Sequence, residues 1–183
     1  MVSEWCLREH FQAVGERPRQ RVHDDRRHHR AGASAQRRGA KKNGEDQAIG
    51  RSRGGLTTKI HVIVDALGNP VAISLTPGQA SDLGQAEPLL AGVSPQAFLA
   101  DKAYDADALI LAPEARTITP VIPPKANRVA PRDCDFALYR ERNLIERFFN
   151  KLKHFRGIAT RYDKLARNFL AAVQLAAAIM LLN

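Results

Sequence analysis

From Gly50 to Leu182 the sequence alternates between strand-like and helix-like segments, and few folds accommodate that order. Leu56–Val64 alternates with β-branched residues, ALGNP supplies a turn, and VAISLTP resumes the pattern, which together predict a β-hairpin. Asp82–Ala91 predicts a short helix with Ser81 or Asp82 as its N-cap. Gln96–Ala100 predicts a brief apolar strand ending on Asp101, and Asp105 is placed to cap a helix through Ala106–Leu111. TITPVIPP predicts a strand whose prolines put it at a sheet edge or a strand end. A basic loop, KANRVAPRDCD, leads into a helix over Tyr139–Lys153, and an increasingly apolar helix follows over Asp163–Leu182. Strands interleaved with helices predict an α/β layered domain with a mixed sheet. At 183 residues the chain is one domain, or one domain plus an arm. Asp101 stands where such sheets place functional groups, at the carboxyl end of a strand. A turn aspartate ahead of a helix is the other reading, and spacing alone slightly favours it.

Residues 1–44 have none of this order. Apolar residues are sparse and aperiodic, RVHDDRRHHR clusters Arg and His, and AGASAQRRGAKKNG is rich in small residues, which predicts a basic arm of low order. The arm holds eleven Lys/Arg against five Asp/Glu, a net of +6 within the chain's +9, so residues 45–183 are only mildly basic. The balance suggests an anionic partner, nucleic acid first. His23, His28 and His29 could bind metal, but the run reads as part of a solvated arm. Cys6 and Cys134 lie far apart without metal-ligand spacing, so neither a disulfide framework nor a zinc site is expected, and a reduced intracellular setting fits. The first residues lack the apolar core of a signal peptide. The most hydrophobic stretch, Phe169–Leu182, is too short to span a bilayer. No phosphate-binding glycine loop and no GxSxG elbow is present.

The segment YRERNLIERFFNKLK carries the most chemistry. At about 100° per residue, Tyr139, Arg142, Glu146 and Lys153 fall in one stripe roughly 60° wide. Leu138, Leu144, Ile145, Phe148, Phe149, Leu152 and Phe155 gather on a broad apolar face to one side, with Arg140, Arg147 and Lys151 on the far side. Glu146 is thus expected where the buried face meets water, with Arg142 one turn before it. Such a carboxylate can be held by packing and still reach a metal or a substrate. An ordinary surface pair at i,i+4, contributing tenths of a kcal/mol, satisfies the same spacing.

Four blocks in order, GRSRGGLTTKIH, LADKAYDAD, VIPPKANR and YRERNLIERFFNKLKHFRGIATRYDKLARNF, resemble insertion-sequence transposases of the DDE type. The resemblance covers about residues 41–183. Its subgroup is the one whose last motif reads Tyr, two residues, Arg, three residues, Glu, six residues, Lys, matched here by Tyr139, Arg142, Glu146 and Lys153. It implies an RNase H-like mixed sheet flanked by helices, in which three acids hold two Mg²⁺ (or Mn²⁺) ions for in-line phosphoryl displacement on DNA. By motif position Asp101 is the second acid and Glu146 the third, and both would be catalytic metal ligands. The resemblance also puts Tyr139, Arg142 and Lys153 around the DNA strand, and Arg51, Arg53, Lys125 and Arg128 supply basic loops for phosphate. DNA (terminal inverted repeats and target), further copies of the chain and a bacterial cytoplasmic, nucleoid-associated setting are the partners and place implied, with no membrane.

The chain departs from that pattern ahead of GRSRGG. The first acid should lie on the first strand in a segment resembling IDATIVRAHQHSAGA, and no such segment is present. Codons exist for GERPRQRVHDDRRHHRAGASAQRRGA that read, shifted by one nucleotide, as ASDPDNEYMTIDATIVRAHQHSAGA. Residues up to about Gly39 are therefore expected to be translated out of frame, with the missing aspartate straddling the codons of Arg26 and Arg27. The expectation is a catalytic portion lacking its first, central strand and inactive alone, although transposase by family. The alternatives are a DNA-binding remnant that occupies element ends or interferes with a full-length enzyme, a product that never folds, and an RNase H-like nuclease. Asp24, Asp25 and Asp65 are poor substitutes for the first acid, since Asp65 opens a hairpin turn and the other two have no strand to hold them.

Overall fold

The computed structural model describes residues 10–15, 20–21, 46–52 and 55–182, the first two segments as backbone strands. Cys6, His23, Asp24, Asp25, His28, His29 and Arg53 lie outside the described residues. In chain order the strands are β1 (His10–Gly15), β2 (Gln20–Arg21), β3 (Gly50–Ser52), β4 (Gly55–Val64), β5 (Pro70–Pro77), β6 (Ala97–Leu99) and β7 (Thr119–Val121). The helices are α1 (Leu83–Ala91), α2 (Asp107–Ala115), α3 (Phe136–Tyr139), α4 (Asn143–Leu152), α5 (Arg156–Ala159) and α6 (Ala166–Leu181), with 3-10 turns at Lys102–Tyr104 and Arg140–Arg142. The mixed α/β composition is as expected. The chain divides into two compact units, the first formed by residues 1–15, 61–74 and 81–149 and the second by 16–60, 75–80 and 150–183.

In the first unit β1 pairs antiparallel with β4 (Gln12 opposite Val64) and parallel with β6 (Gln12 opposite Leu99), while β6 pairs parallel with β7 (Leu99 opposite Val121). The expectation of an absent central strand is corrected here. His10–Gly15 lies between β4 and β6, ahead of the segment in which that strand was sought. Without it, β4 and β6 would each present a row of unpaired N–H and C=O groups. A short run without proline, HFQAVG, is enough to pair both.

β6 shows why the strand reads as continuously apolar. Phe98 and Ala100 enter one core with Ile63, Leu90, Tyr104, Leu109, Ile110 and Ile122, whereas Ala97 and Leu99 join Val121 in another, against Cys134, Leu138 and Tyr139. Period-2 alternation with both faces covered produces that pattern. β7 pairs only with β6 among the described residues, so its one proline, Pro120, sits on an edge as expected. The hairpin turn is closed by Asp65, whose Oδ1 accepts from the Leu67 and Asn69 amides at 2.9 Å, and by Gly68 at φ 86°. That φ lies in the left-handed region, where glycine carries no Cβ penalty.

Two local expectations change. Asp105 does not cap the following helix. α2 begins at Asp107, and Asp105 is 4% exposed with its Oδ2 accepting from the Lys125 amide at 2.8 Å. The helix expected over Tyr139–Lys153 is broken into α3, the Arg140–Arg142 turn and α4. Asp135 caps α3, its Oδ1 accepting from the Ala137 and Leu138 amides at 2.9 and 3.0 Å. Within α4, Ile145, Phe148, Phe149 and Leu152 are buried and Glu146 is exposed, as the apolar face predicts.

In the second unit β2 and β3 both pair antiparallel with the first half of β4, where Thr57 lies opposite Arg21 and opposite Gly50. Gly78 donates its amide to the Thr57 carbonyl at 3.1 Å, and a Cβ at Gly78 would stand 2.0 Å from Thr57 Oγ1. The centre of this unit is Arg161, which is 0% exposed. Its guanidinium donates to the carbonyls of Gln47 (2.8 Å), Asp163 (2.7 Å) and Lys164 (3.1 Å), to Thr58 Oγ1, and more distantly to Ala48 (3.5 Å). It also lies over the Phe169 ring at 4.6 Å from the centroid. Burial pushes its pKa down to about 10, so it stays charged at neutral pH. Ala48, at φ 44°, is held in the left-handed region by this web and by its own amide donating to Asp46 Oδ1 at 2.9 Å.

Candidate active site

Asp101 follows β6 directly. The Ala100 amide donates to the Val121 carbonyl at 3.3 Å, which extends the β6–β7 pairing up to it. Asp101 then opens the Lys102–Tyr104 turn through its carbonyl, which accepts from the Tyr104 amide at 2.8 Å, while its carboxylate makes no capping hydrogen bond. The turn is thus closed by the Asp101 backbone and not by its carboxylate.

Tyr139 packs against Ala97, Leu99 and Val121, the face of β6 and β7 next to Asp101. Burial raises its phenol pKa above the ordinary value; Arg142 opposes the rise and the nearby negative charge of Asp101 adds to it. The phenol is thus neutral and a hydrogen-bond donor at neutral pH. The Arg142 guanidinium lies over the Tyr139 ring, 5.6 Å from its centroid, and donates through Nη1 to Glu146 Oε1 at 3.3 Å. Tyr139, Arg142 and Glu146 thus form a chain of neighbours within the first unit, with Glu146 more than half exposed and Arg142 a quarter exposed. Lys153 is exposed just past the end of α4, and Arg51 is exposed on β3, both in the second unit.

The donors near this site do not make up a complete two-metal set. Asp101 and Glu146 are hard oxygen donors of the right kind. Asp65 is tied into its turn, β1 (HFQAVG) carries no carboxylate, and no group of three or more His, Cys, Asp or Glu side chains that could hold a metal ion exists among the described residues.

Lys125 and Arg128 already have partners inside the protein. The Lys125 ammonium donates to the Asp105 carbonyl at 3.0 Å. Arg128 bridges Asp105, at 2.6 Å, and Asp107, and Arg132 bridges the same two carboxylates. These hydrogen bonds and charges hold the Asp107 carboxyl below the usual range and raise Arg128. Asp107 and Arg132 were not singled out from sequence, and Asp105 was read only as a helix cap, because the meeting of the three depends on a loop returning to the start of α2. Arg161 was missed for a similar reason, since nothing local in RYDKLARNF distinguishes a buried arginine from a surface one.

Among the described residues no helix is long and apolar enough to cross a membrane. Residues 17–181 match the family described as Transposase DDE domain. A curated Brucella ovis protein, "Putative transposase for insertion sequence element IS6501", is 42% identical over 131 residues, which are 70% of this chain and the whole of that relative.

Proposed function

Because the chain belongs to the insertion-sequence transposases of the DDE type, we propose that its site is built for phosphoryl transfer on DNA and that this chain carries two of the three acids the chemistry needs. Asp101 is the second acid and Glu146 the third. Tyr139 and Arg142 lie along the DNA strand, and in the second unit Lys153, Arg51 and Arg53 make phosphate contacts of their own. The fold is RNase H-like, a reading supported by a central strand with an antiparallel neighbour on one side and a parallel one on the other. Mg²⁺ or Mn²⁺ belongs to the complete acid set. Residues 1–44 are an out-of-frame arm that still lends the strand β1 to the sheet, and 45–183 are the catalytic portion, acting in a bacterial cytoplasm on DNA at the nucleoid as an oligomer.

One observation carries the reading. β1 pairs in register with β6 as far as Gln12 opposite Leu99, and two residues further along lie Val14 on one strand and Asp101 on the other. The strand beside Asp101 therefore brings no acid to it. Purified protein, given Mg²⁺ and a pre-nicked element end, is expected to join no detectable 3′ end to target DNA. Robust joining that is abolished by Asp101→Asn would overturn the proposal.

The same observation favours a second reading, a DNA-binding remnant that occupies element ends without cutting. Arg51 and Lys153 are exposed, which suits sequence-independent phosphate contact. Binding without cleavage, weakening steeply with salt, distinguishes it from a chain that does not engage DNA.

A further inference from the structure

The exposed half of the Asp105–Asp107–Arg128–Arg132 cluster has the form of an occupied anion site. We infer that Arg128 and Arg132 form a seat for one DNA phosphate, closed in the free chain by Asp107. The inference rests on the DNA-acting reading above and extends it.

The two carboxylates of the cluster are unequal. The Asp105 side chain is 2% exposed, and it is fixed by the Lys125 amide at 2.8 Å and by Nη1 of Arg128 at 2.6 Å, with Nη1 of Arg132 at 3.5 Å. It anchors the inner ends of both guanidinium groups. The Asp107 side chain is 68% exposed, and its Oδ1 alone accepts from Nη2 of Arg128 and Nη2 of Arg132. The arginine side chains themselves are 19% and 32% exposed. The outer ends of two forks thus converge on a single solvent-facing oxygen, and that geometry is the one arginine pairs use for phosphate.

The charge balance agrees. Lys125, Arg128 and Arg132 face Asp105 and Asp107, so exchanging Asp107 for a phosphodiester leaves the same charge in the seat. An ion pair as exposed as the Asp107 pairs contributes little stability, so the exchange meets a small barrier. Between the two arginines, Val129 is fully exposed, and the loop tip is open to a duplex.

The test uses the full chain, a fluorescein-labelled 30-base-pair duplex and a salt series. Asp107→Asn is expected to bind more tightly than the original chain, with the slope of log affinity against log salt steeper by about 0.9, so that the gain shrinks about threefold between 50 and 200 mM salt. Arg132→Gln is expected to have little effect alone and to remove the gain in the Asp107→Asn background, a coupling that simple loss of one negative charge does not produce. Glu114→Gln, an equal charge change at the other end of α2, is expected to give no gain. Thermal melts of each variant establish that it is folded. An Asp107→Asn chain that binds no tighter than the original at any salt overturns the seat while the DNA reading stands. Absence of binding in every variant, the original included, overturns both.

Discussion

Two arginine-centred regions of this protein use the same side chain to opposite ends. Arg161, in the second unit, is fully buried and donates mainly to backbone carbonyls from residues 47 and 163–164 and to the Thr58 hydroxyl. No other side chain presents five donors in a rigid fork that could satisfy so many acceptors from one point. In the first unit, Arg128, Arg132 and Arg142 reach solvent and pair with carboxylates. A buried arginine bound to backbone cannot be exchanged without unfolding its neighbourhood. A half-exposed arginine bound to a carboxylate can change partners. Arg161 is therefore architecture, whereas the others are suited to an anionic ligand.

The sharpest way to break this contrast is to remove Arg161. Arg161→Ala strands the buried carbonyls and the Thr58 hydroxyl, and urea unfolding is expected to show a loss of about 3–5 kcal/mol. Arg161→Lys is expected to recover little of it, because an ammonium lacks the fork. A loss below about 1 kcal/mol would erase the distinction. Gly78→Ala attacks the same unit by overpacking, since the new Cβ would collide with Thr57 Oγ1, and about 1–3 kcal/mol is expected in the same experiment.

Arg142→Gln is the counterpart in the first unit. Its pair with Glu146 is exposed, so unfolding is expected to change by less than about 1 kcal/mol. Its DNA affinity is expected to fall across sequences, with a salt slope shallower by about 1. The smallest effect concerns pH. The Asp107 carboxyl titrates below its ordinary 3.8 in the folded chain. Its stabilising contribution is therefore fully present above that value and lost as pH falls through the lowered folded value. Thermal melts of the original chain and Asp107→Asn are expected to differ slightly at pH 6 and to converge below pH 3.8. A difference that persisted under acid would mean that Asp107 is not held by its arginines.

Patterns that repeat within one element were legible in the sequence. Alternation marked the hairpin, short apolar runs marked β6 and the edge strand β7, and apolar helical faces marked α6 and the buried side of α4. The place of Asp101 directly after a strand and that of Glu146 on the exposed side of a helix were legible in the same way. What depends on distant partners was not legible. HFQAVG carries no mark of a central strand, and its place follows from the two edges it pairs. Asp105 has the chemistry of a cap, and only the returning Lys125–Arg128 loop takes it inward. Nothing in YRERN, which has neither proline nor glycine, signals the tightening into a 3-10 turn between α3 and α4.

The central claim is that Asp101 and Glu146 lack a third acid on the strand beside them. The direct measurement compares Mg²⁺-dependent strand transfer by this chain with that of a chain in which the segment up to about Gly39 is read in the shifted frame. The account predicts joining by the shifted-frame chain alone, abolished there by either Asp101→Asn or Glu146→Gln. Equal joining by the chain as it stands, or joining that survives both substitutions, would contradict it.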